Sequence, residues 1–358
     1  MQLTYPNYIF QTEAWADFWV ETNGPNHLYY WFEDILEGQK ISCIIYEYPW
    51  HLEQRIRYLP RFPGLNFNQS IAPELLNKLS LKLLQKIVLD SKEKGIAFLK
   101  IDFEDQLANT LEVETDQKLL DFFQANFKNL KIKTKTKKFQ WNQTIILDLD
   151  SIIKERVNII SAIQDEEVIY SKLRQFLDSS KDFWQTTNNN VRRYTKKVLT
   201  GQWEISIIKD DANFESFWQV YNQTKDRQQF HIHNKKYFQK LYNQHESRII
   251  ILKNQNEVVA AWFGLVSDNT LTYLYGGNTQ YSLENYGQYL LHLVAVNLAF
   301  EENLRFYDLG GFDPDHGYGR FKENYKGVRR IFPGPIDIIF KPFKVKLIDI
   351  LSGLRNIF

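Results

Sequence analysis

Apolar positions recur along the chain with two alternating periods. In APELLNKLSLKLLQKIVLDSKEKG, residues 72–95, Leu76, Leu79, Leu83, Leu84, Ile87 and Val88 return at helical spacing, and Gly95 stops the run. Shorter apolar runs flank it. KISCIIYEYP (40–49) and IRYLPRFPG (56–64) read as strands closed by prolines, and IAFLKID (96–102) as a strand ending in Asp102. A helix near 116–129 leads to KIKTKTKKFQWNQTIILDLD (131–150), a lysine-studded strand followed by an apolar one. Residues 151–190 are polar, predict helix and end in the turn-prone TTNNN. Beyond them come a strand at WEISII (203–208) and helices over 213–227 and 235–245. RIIILKN, EVVAAWFGLVS and TLTYLYGGN then read as three strands, the first two forming a hairpin at NQNE. A helix over 284–303 and the strand LRFYDLGG (304–311) complete the alternation.

The alternation contains a weak repeat. LKLLQKIVLDSKEKGIAFLKID (81–102) is a helix feeding a short strand that ends in Asp102. QYLLHLVAVNLAFEENLRFYDL (288–309) does the same before Asp308 and its neighbour Leu309. Two copies of one unit predict a mixed α/β fold and account for 358 residues as two domains. The boundaries expected are 1–150, a helical junction over 151–190, a second domain over 191–340, and a tail over 341–358 that returns to the body. That tail mixes apolar residues with Lys341, Lys344, Lys346 and Arg355. Its two readings are a packed terminal helix and an amphipathic contact with a membrane surface.

Composition narrows the function classes. A net charge of +1 gives no whole-chain drive toward nucleic acid, so basic patches are weighed one by one. The single cysteine, Cys43, points to a reducing compartment. With no signal-like start and no long apolar run, the chain is expected in the cytoplasm. No GxSxG, P-loop or GxGxxG occurs, which removes the main support for hydrolase, ATPase and dinucleotide-dehydrogenase readings. FHIHNKK (230–236) holds His231 and His233 with no third ligand at a familiar spacing, so no metal is expected.

Three stretches carry candidate chemistry. In GGFDPDHGYGRFK (310–322) a strand end opens into a glycine-containing loop with Lys322 behind it: either a ligand mouth or a surface loop with a solvated lysine. NNNVRRYTKKVLTGQW (188–203) places Arg192, Arg193, Lys196 and Lys197 together, as an anion site or a charged helix face. KIKTKTKK (131–138) sets Lys131, Lys133 and Lys135 on one strand face, as edge protection or as a nucleic-acid contact.

Six segments, in order, resemble the FemABX family of aminoacyl-tRNA-dependent transferases. They are FQTEAWADFWVETNG, RYLPRFPG, KGIAFLKIDFED, NNVRRYTKKVLTGQWEI, TKDRQQFHIHNKKYFQKL and RFYDLGGFD…GYGRFKENYKG. The last, with its Tyr-Asp-x-Gly-Gly and Phe-Lys elements, is the most specific. The resemblance implies two tandem GNAT-like domains and transfer of an amino acid from aminoacyl-tRNA to an amine of a peptidoglycan stem peptide. It implies no cofactor and no stable protein partner. The acceptor would be a lipid-linked or UDP-linked muramyl peptide, with peripheral contact at the inner membrane face. It places Lys322 and Phe321 at the active site, with Lys322 facing charge that develops during acyl transfer, and makes Asp102 a further catalytic candidate. Arg192 or Arg193 would grip the precursor phosphates. Tyr273, Tyr275, Arg61, Asp308, Gly310 and Gly311 would line the substrate. Two departures stand out: Trp19 occupies the position of a phosphate-binding lysine, and the coiled-coil arm of some relatives is absent. An acyl-CoA-dependent GNAT enzyme and a non-catalytic binding protein are the competing readings. ENYGQY (284–289) keeps only one glycine of the loop that a CoA pyrophosphate wants.

Overall fold

The computed structural model describes residues 9–36, 38–62, 73–103, 116–134, 136, 139–150, 166–180, 184–185, 187–332 and 334–355. The chain divides into two units: residues 1–142 with 331–358, and residues 143–330.

The first unit contains β1 (Leu28–Leu36), β2 (Gln39–Pro49), β3 (Arg55–Phe62), β4 (Phe98–Phe103) and β5 (Lys131–Lys133), with helices Glu13–Asn23, Pro73–Glu93 and Asp116–Asn126. The second contains β6 (Gln143–Asp148), β7 (Glu204–Ser206), β8 (Ser247–Asn254), β9 (Glu257–Ser267), β10 (Thr270–Asn278), β11 (Phe306–Gly311) and β12 (Val328–Ile331). A last strand, β13 (Ile336–Ile339), and the helix Pro342–Arg355 belong to the first.

The two sheets run β1-β2-β3-β4-β13-β5 and β12-β6-β11-β10-β9-β8-β7. Set side by side they match. In each, an antiparallel series reaches a central parallel pair, β3 with β4 and β10 with β11. The next place is filled, antiparallel, by a strand distant in sequence: β13 beside β4, and β6 beside β11. The repeat read from the sequence is this central helix-to-strand unit.

This pairing moves the expected boundaries. The apolar strand before residue 150 leaves the first domain, because β6 pairs with β11 from Asp148↔Phe306 to Thr144↔Gly311. Ile336–Ile339 returns to the first sheet, because Asp337 pairs with Lys100. Of the 151–190 stretch, 151–165 lie outside the described residues. Helix Glu166–Ser179 buries Ile169, Leu173 and Phe176 in the second core, so it is part of that unit rather than a junction. Strands β1, β12 and β13 and the helix Gly317–Glu323 were not expected from the pattern.

Local chemistry explains the main elements. Helix Pro73–Glu93 buries Leu79, Leu83, Leu84, Ile87 and Val88 against Leu59, Leu99 and Ile101. Helix Gly287–Glu301 is apolar all round because nearly every residue of it is buried. Lys131 and Lys133 are exposed on β5, an edge strand, as protection against edge pairing requires. Among the described residues, no helix is long and apolar enough to cross a membrane.

Candidate functional site

Strand β11 ends in FYDLGG, and the loop behind it enters the helix Gly317–Glu323 that carries Phe321 and Lys322. Lys322 is 6% exposed. Its Nζ donates to the Gly311 carbonyl at 2.7 Å and lies 5.2 Å and 5.4 Å from the ring centroids of Tyr273 and Tyr318. Among the described residues, no carboxylate pairs with it. Burial pushes its pKa down to about 8, and the Asp308 carboxylate pulls the other way.

The backbone around it is built for close approach. Gly310 has φ +71°, and a Cβ there would come within 2.1 Å of the Tyr273 carbonyl oxygen. Only glycine lets β11 pass β10 this closely and still present the next carbonyl to Lys322. Asp308 braces the turn. Its carboxylate accepts from the Thr144 hydroxyl and from the Gly310 N–H at 2.8 Å. Burial raises its pKa, against those bonds and the charges of Lys322 and Arg330. The β11–β6 register shifts at the same place, between Asp308 and Gly311.

Behind Lys322 lies a relay absent from the sequence-derived site. Trp262 Nε1 donates to the Tyr307 hydroxyl at 3.1 Å, and that hydroxyl is 2.6 Å from His292 Nδ1. An indole N–H can only donate, so the Tyr307 hydroxyl accepts from Trp262 and shares its second hydrogen bond with His292 Nδ1. His292 is neutral. Burial, helped by the Lys322 charge, pushes its pKa down to about 3. The ring packs on Phe321 and Tyr273 with centroids 5.2 Å away in both cases. The one sequence signal for His292 was a histidine in a largely apolar helix; Thr144 carried none, and Tyr318 lay unremarked within the 310–322 stretch.

Tyr273 joins this group and Tyr275 does not. A bulge at Leu274 shifts the β10–β9 register, so Tyr273 pairs with Gly264 and Tyr275 with Phe263. The two rings turn to opposite faces. Tyr273 stacks on Trp262, while Tyr275 meets Tyr221, Phe238 and Phe263.

Helix Asn189–Val198 separates the two arginines. Its N-cap Asn188 donates through its backbone N–H to the Asn324 carbonyl at 2.8 Å, which ties it to the end of the Lys322 helix. Arg192 donates to the Gln185 carbonyl at 2.6 Å and to Asn189. With Leu177, Asp178, Trp184, Thr195 and Lys196 it lines a cavity of about 280 Å³. The Arg193 guanidinium lies 4.5 Å over the Tyr194 ring, which stacks on Tyr286 at 4.1 Å.

Asp102 and Arg61 belong to the first unit. Asp102 accepts from the buried Tyr58 hydroxyl. Burial raises its pKa, opposed by that bond and by Arg61 and Lys100. Arg61 sits at φ +50° beside a register shift in the β3–β4 ladder, donates to the Trp141 carbonyl, and lies 3.7 Å over the Phe332 ring. A side chain in that region costs about 1–2 kcal/mol, the kind of strain found at binding sites. Gln11 of the opening segment pins backbone: its amide accepts from Ile44 N–H at 2.6 Å and donates to the Ile44 and Pro60 carbonyls. Trp19 packs among His27, Tyr46 and Tyr48. His233 stacks on Tyr237, and among the described residues no cluster of three metal-ligating side chains forms.

Comparison with known proteins agrees with this architecture. A family described as Acetyltransferase (GNAT) domain matches residues 185–326. No curated protein matches the chain by sequence. Among solved structures, FemX superposes with a TM-score of 0.69 at 14% identity, covering 96% of this chain and 95% of that one. Weaker likenesses include the C-terminal domain of a putative lysylphosphatidylglycerol synthetase from Agrobacterium fabrum, with TM-score 0.46 and 8% identity over 82% and 80% of the two chains. A tandem GNAT protein from the clavulanic acid biosynthesis pathway gives TM-score 0.45 and 8% identity over 88% and 84%. The chain thus shares the fold of FemX, with two units built on matching mixed sheets, and residues 185–326 of the second match a GNAT acetyltransferase domain.

Proposed function

We propose that the protein transfers an aminoacyl group from the 3′ end of a charged tRNA to an amine on the stem peptide of a peptidoglycan precursor. The observation that carries the reading is Lys322: a buried cation with no carboxylate partner among the described residues, anchored to a carbonyl between two aromatic rings in the stretch that matches a GNAT acetyltransferase domain. The six-segment resemblance supports the donor and the acceptor, and the FemX fold is compatible with both.

The chemistry asks little beyond electrostatics. A neutral amine attacks the ester carbonyl carbon; a C–N bond forms and the carbonyl oxygen becomes an oxyanion. Collapse breaks the C–O bond, and the ribose hydroxyl departs with a proton while the amine loses one. The ester is already activated, so transfer needs no nucleoside triphosphate. A fixed cation at the oxyanion contributes about 3 kcal/mol, or roughly 100- to 1000-fold in rate. Lys322 takes that role, the Gly310 turn sets the Gly311 carbonyl that holds it, and Phe321 and Tyr273 wall the site. Arg192, which lines a cavity together with Lys196, is the arginine assigned to a precursor phosphate. Asp102 and Arg61 remain candidates within the first unit, and Tyr275 meets the acceptor peptide from its own face.

An acyl-CoA donor is the second reading, supported by the match of residues 185–326 to an acetyltransferase domain. One experiment separates the two. The protein is given tRNA charged with radiolabelled Gly, Ala or Ser, or labelled acyl-CoA, with lipid-linked and UDP-linked precursor in turn. Label should pass from tRNA to precursor and fall at least tenfold in Lys322→Ala. Transfer from acyl-CoA alone would establish the second reading, and no transfer from any donor by folded protein would remove both.

A further inference from the structure

The helix Pro342–Arg355 has two apolar sides. Val345 and Ile348 are buried, Val345 in a cluster with Ile56, Ala97, Phe98 and Ile339. Phe343, Leu347 and Ile350 are 89%, 50% and 52% exposed. At spacings of four and three residues these form one stripe along the outer face of the helix. A stripe with this period is usually what a helix buries; this one faces out, and Phe343 is the most exposed large apolar side chain among the described residues.

The charges around the stripe select its partner. At about 100° per residue, Lys346 falls on one border of the stripe and Lys344 on the other, and both are exposed. Asp349, the helix's acid, lies off the stripe and pairs with Lys133 at 3.5 Å. A second copy of the chain would be a poor occupant. Three side chains offer a few hundred Å² at most, against about 800 Å² per partner for a standard interface. An apolar strip bordered by lysines fits a surface that is apolar below and anionic above. We infer that this helix lies flat on an anionic membrane surface, with Phe343, Leu347 and Ile350 at the acyl boundary and Lys344 and Lys346 at the lipid phosphates. Binding of this kind is weak and reversible. It holds the protein at the surface where a lipid-linked substrate would lie, but it does not depend on the transfer reaction.

The test uses the whole protein, without substrates, in flotation with vesicles of phosphatidylglycerol and phosphatidylcholine or of phosphatidylcholine alone. Wild type should float with the anionic vesicles at low salt and be released by high salt. Combined Phe343→Ser and Leu347→Ser should lower the partition coefficient by about tenfold or more. Lys344→Gln and Lys346→Gln should each lower it by about fivefold on anionic vesicles and leave the neutral ones unchanged. All four sites are exposed, so unchanged melting temperatures are expected and would confirm folding. Wild type remaining unbound at low salt would overturn the inference, as would an apolar-stripe variant that floats like wild type. A wild-type dimer on size exclusion that Phe343→Ser dissociates would assign the stripe to a second copy instead.

Discussion

Among the described residues, each unit buries one lysine, and the two are held in opposite ways. Lys100, on β4 of the first unit, is 3% exposed. Its Nζ lies 2.7 Å from Asp337 and donates to Thr136 at 2.6 Å. Asp337 faces it across the ladder because β13 pairs there in register. Lys322 in the second unit is almost as buried, yet it is anchored to a backbone carbonyl and two rings. A buried cation with a matched carboxylate closes its own electrostatics and can serve as structure. A buried cation without one carries a cost that a folded protein tolerates where an incoming negative charge relieves it.

The comparison breaks first at Lys100. Lys100→Ala leaves the mostly buried Asp337 beside Asp102 with only the exposed Lys133 as counter-charge, and removing one partner of such a pair costs about 3–5 kcal/mol. Urea unfolding should show that loss, while transfer activity of the folded fraction stays within a few-fold of wild type. Lys322→Ala should do the reverse. Activity falls about 100- to 1000-fold, roughly 3 kcal/mol in the barrier, with the urea midpoint held or raised. A Lys100 variant that is stable and inactive would exchange the roles assigned to the two lysines.

A smaller effect sharpens the point. Lys322 has a folded pKa of about 8 against an unfolded value of 10.5. Below pH 8 it is charged in both states, and the fold bears the full cost of burying that charge. Between about 8 and 10.5 the folded protein sheds the proton first, and the cost fades as pH rises. Lys322→Met removes the charge and keeps the stem, at the loss of the bond to Gly311. It should be more stable than wild type by about 2 kcal/mol at pH 7, with the difference shrinking as pH is raised toward 10. Urea unfolding at several pH values measures it. An unchanged difference across that range would mean that the Lys322 charge is not what the fold pays for.

How much of this was legible beforehand depends on the range of the interaction. The helix-to-strand unit before Asp102 and before Asp308 was visible because its periodicity is local, and Lys322 stood out because a lysine behind a strand end and two glycines needs a reason. The exchange of β6 and β13 between sheets was not visible, since either apolar run could pair with several strands. Tyr273 and Tyr275 read as one pair because period two predicts one face; the bulge at Leu274 depends on register with β9, which no local pattern records. His292 offered a signal, but its partner Tyr307 comes 15 residues later on another element, β11. For the last helix, sequence left packing and membrane contact as rivals. The structure shows a packed side and an exposed apolar side on the same helix, because Val345 and Ile348 face inward while Phe343, Leu347 and Ile350 do not.

The smallest predicted effect is in the pH dependence of transfer, and it tests Lys322 most directly. Two protonation demands oppose each other: the acceptor amine must be neutral, so the rate rises with pH, whereas Lys322 must be charged to meet the oxyanion. With its pKa near 8, kcat/KM should turn down on the alkaline side at about pH 8, a limb that an ordinary lysine near 10.5 would not produce. His292, held neutral with a pKa near 3, contributes no limb between pH 5 and 9. Lys322→Arg keeps a cation that does not lose its proton in this range. It should lower the overall rate, since a planar fork replaces a point charge at Gly311, yet its profile should keep rising past pH 8. The ratio of variant to wild type would then climb several-fold between pH 7 and 9. A parallel decline in both proteins would place the alkaline group elsewhere and leave Lys322 as an anchor for Gly311 rather than the cation of the reaction.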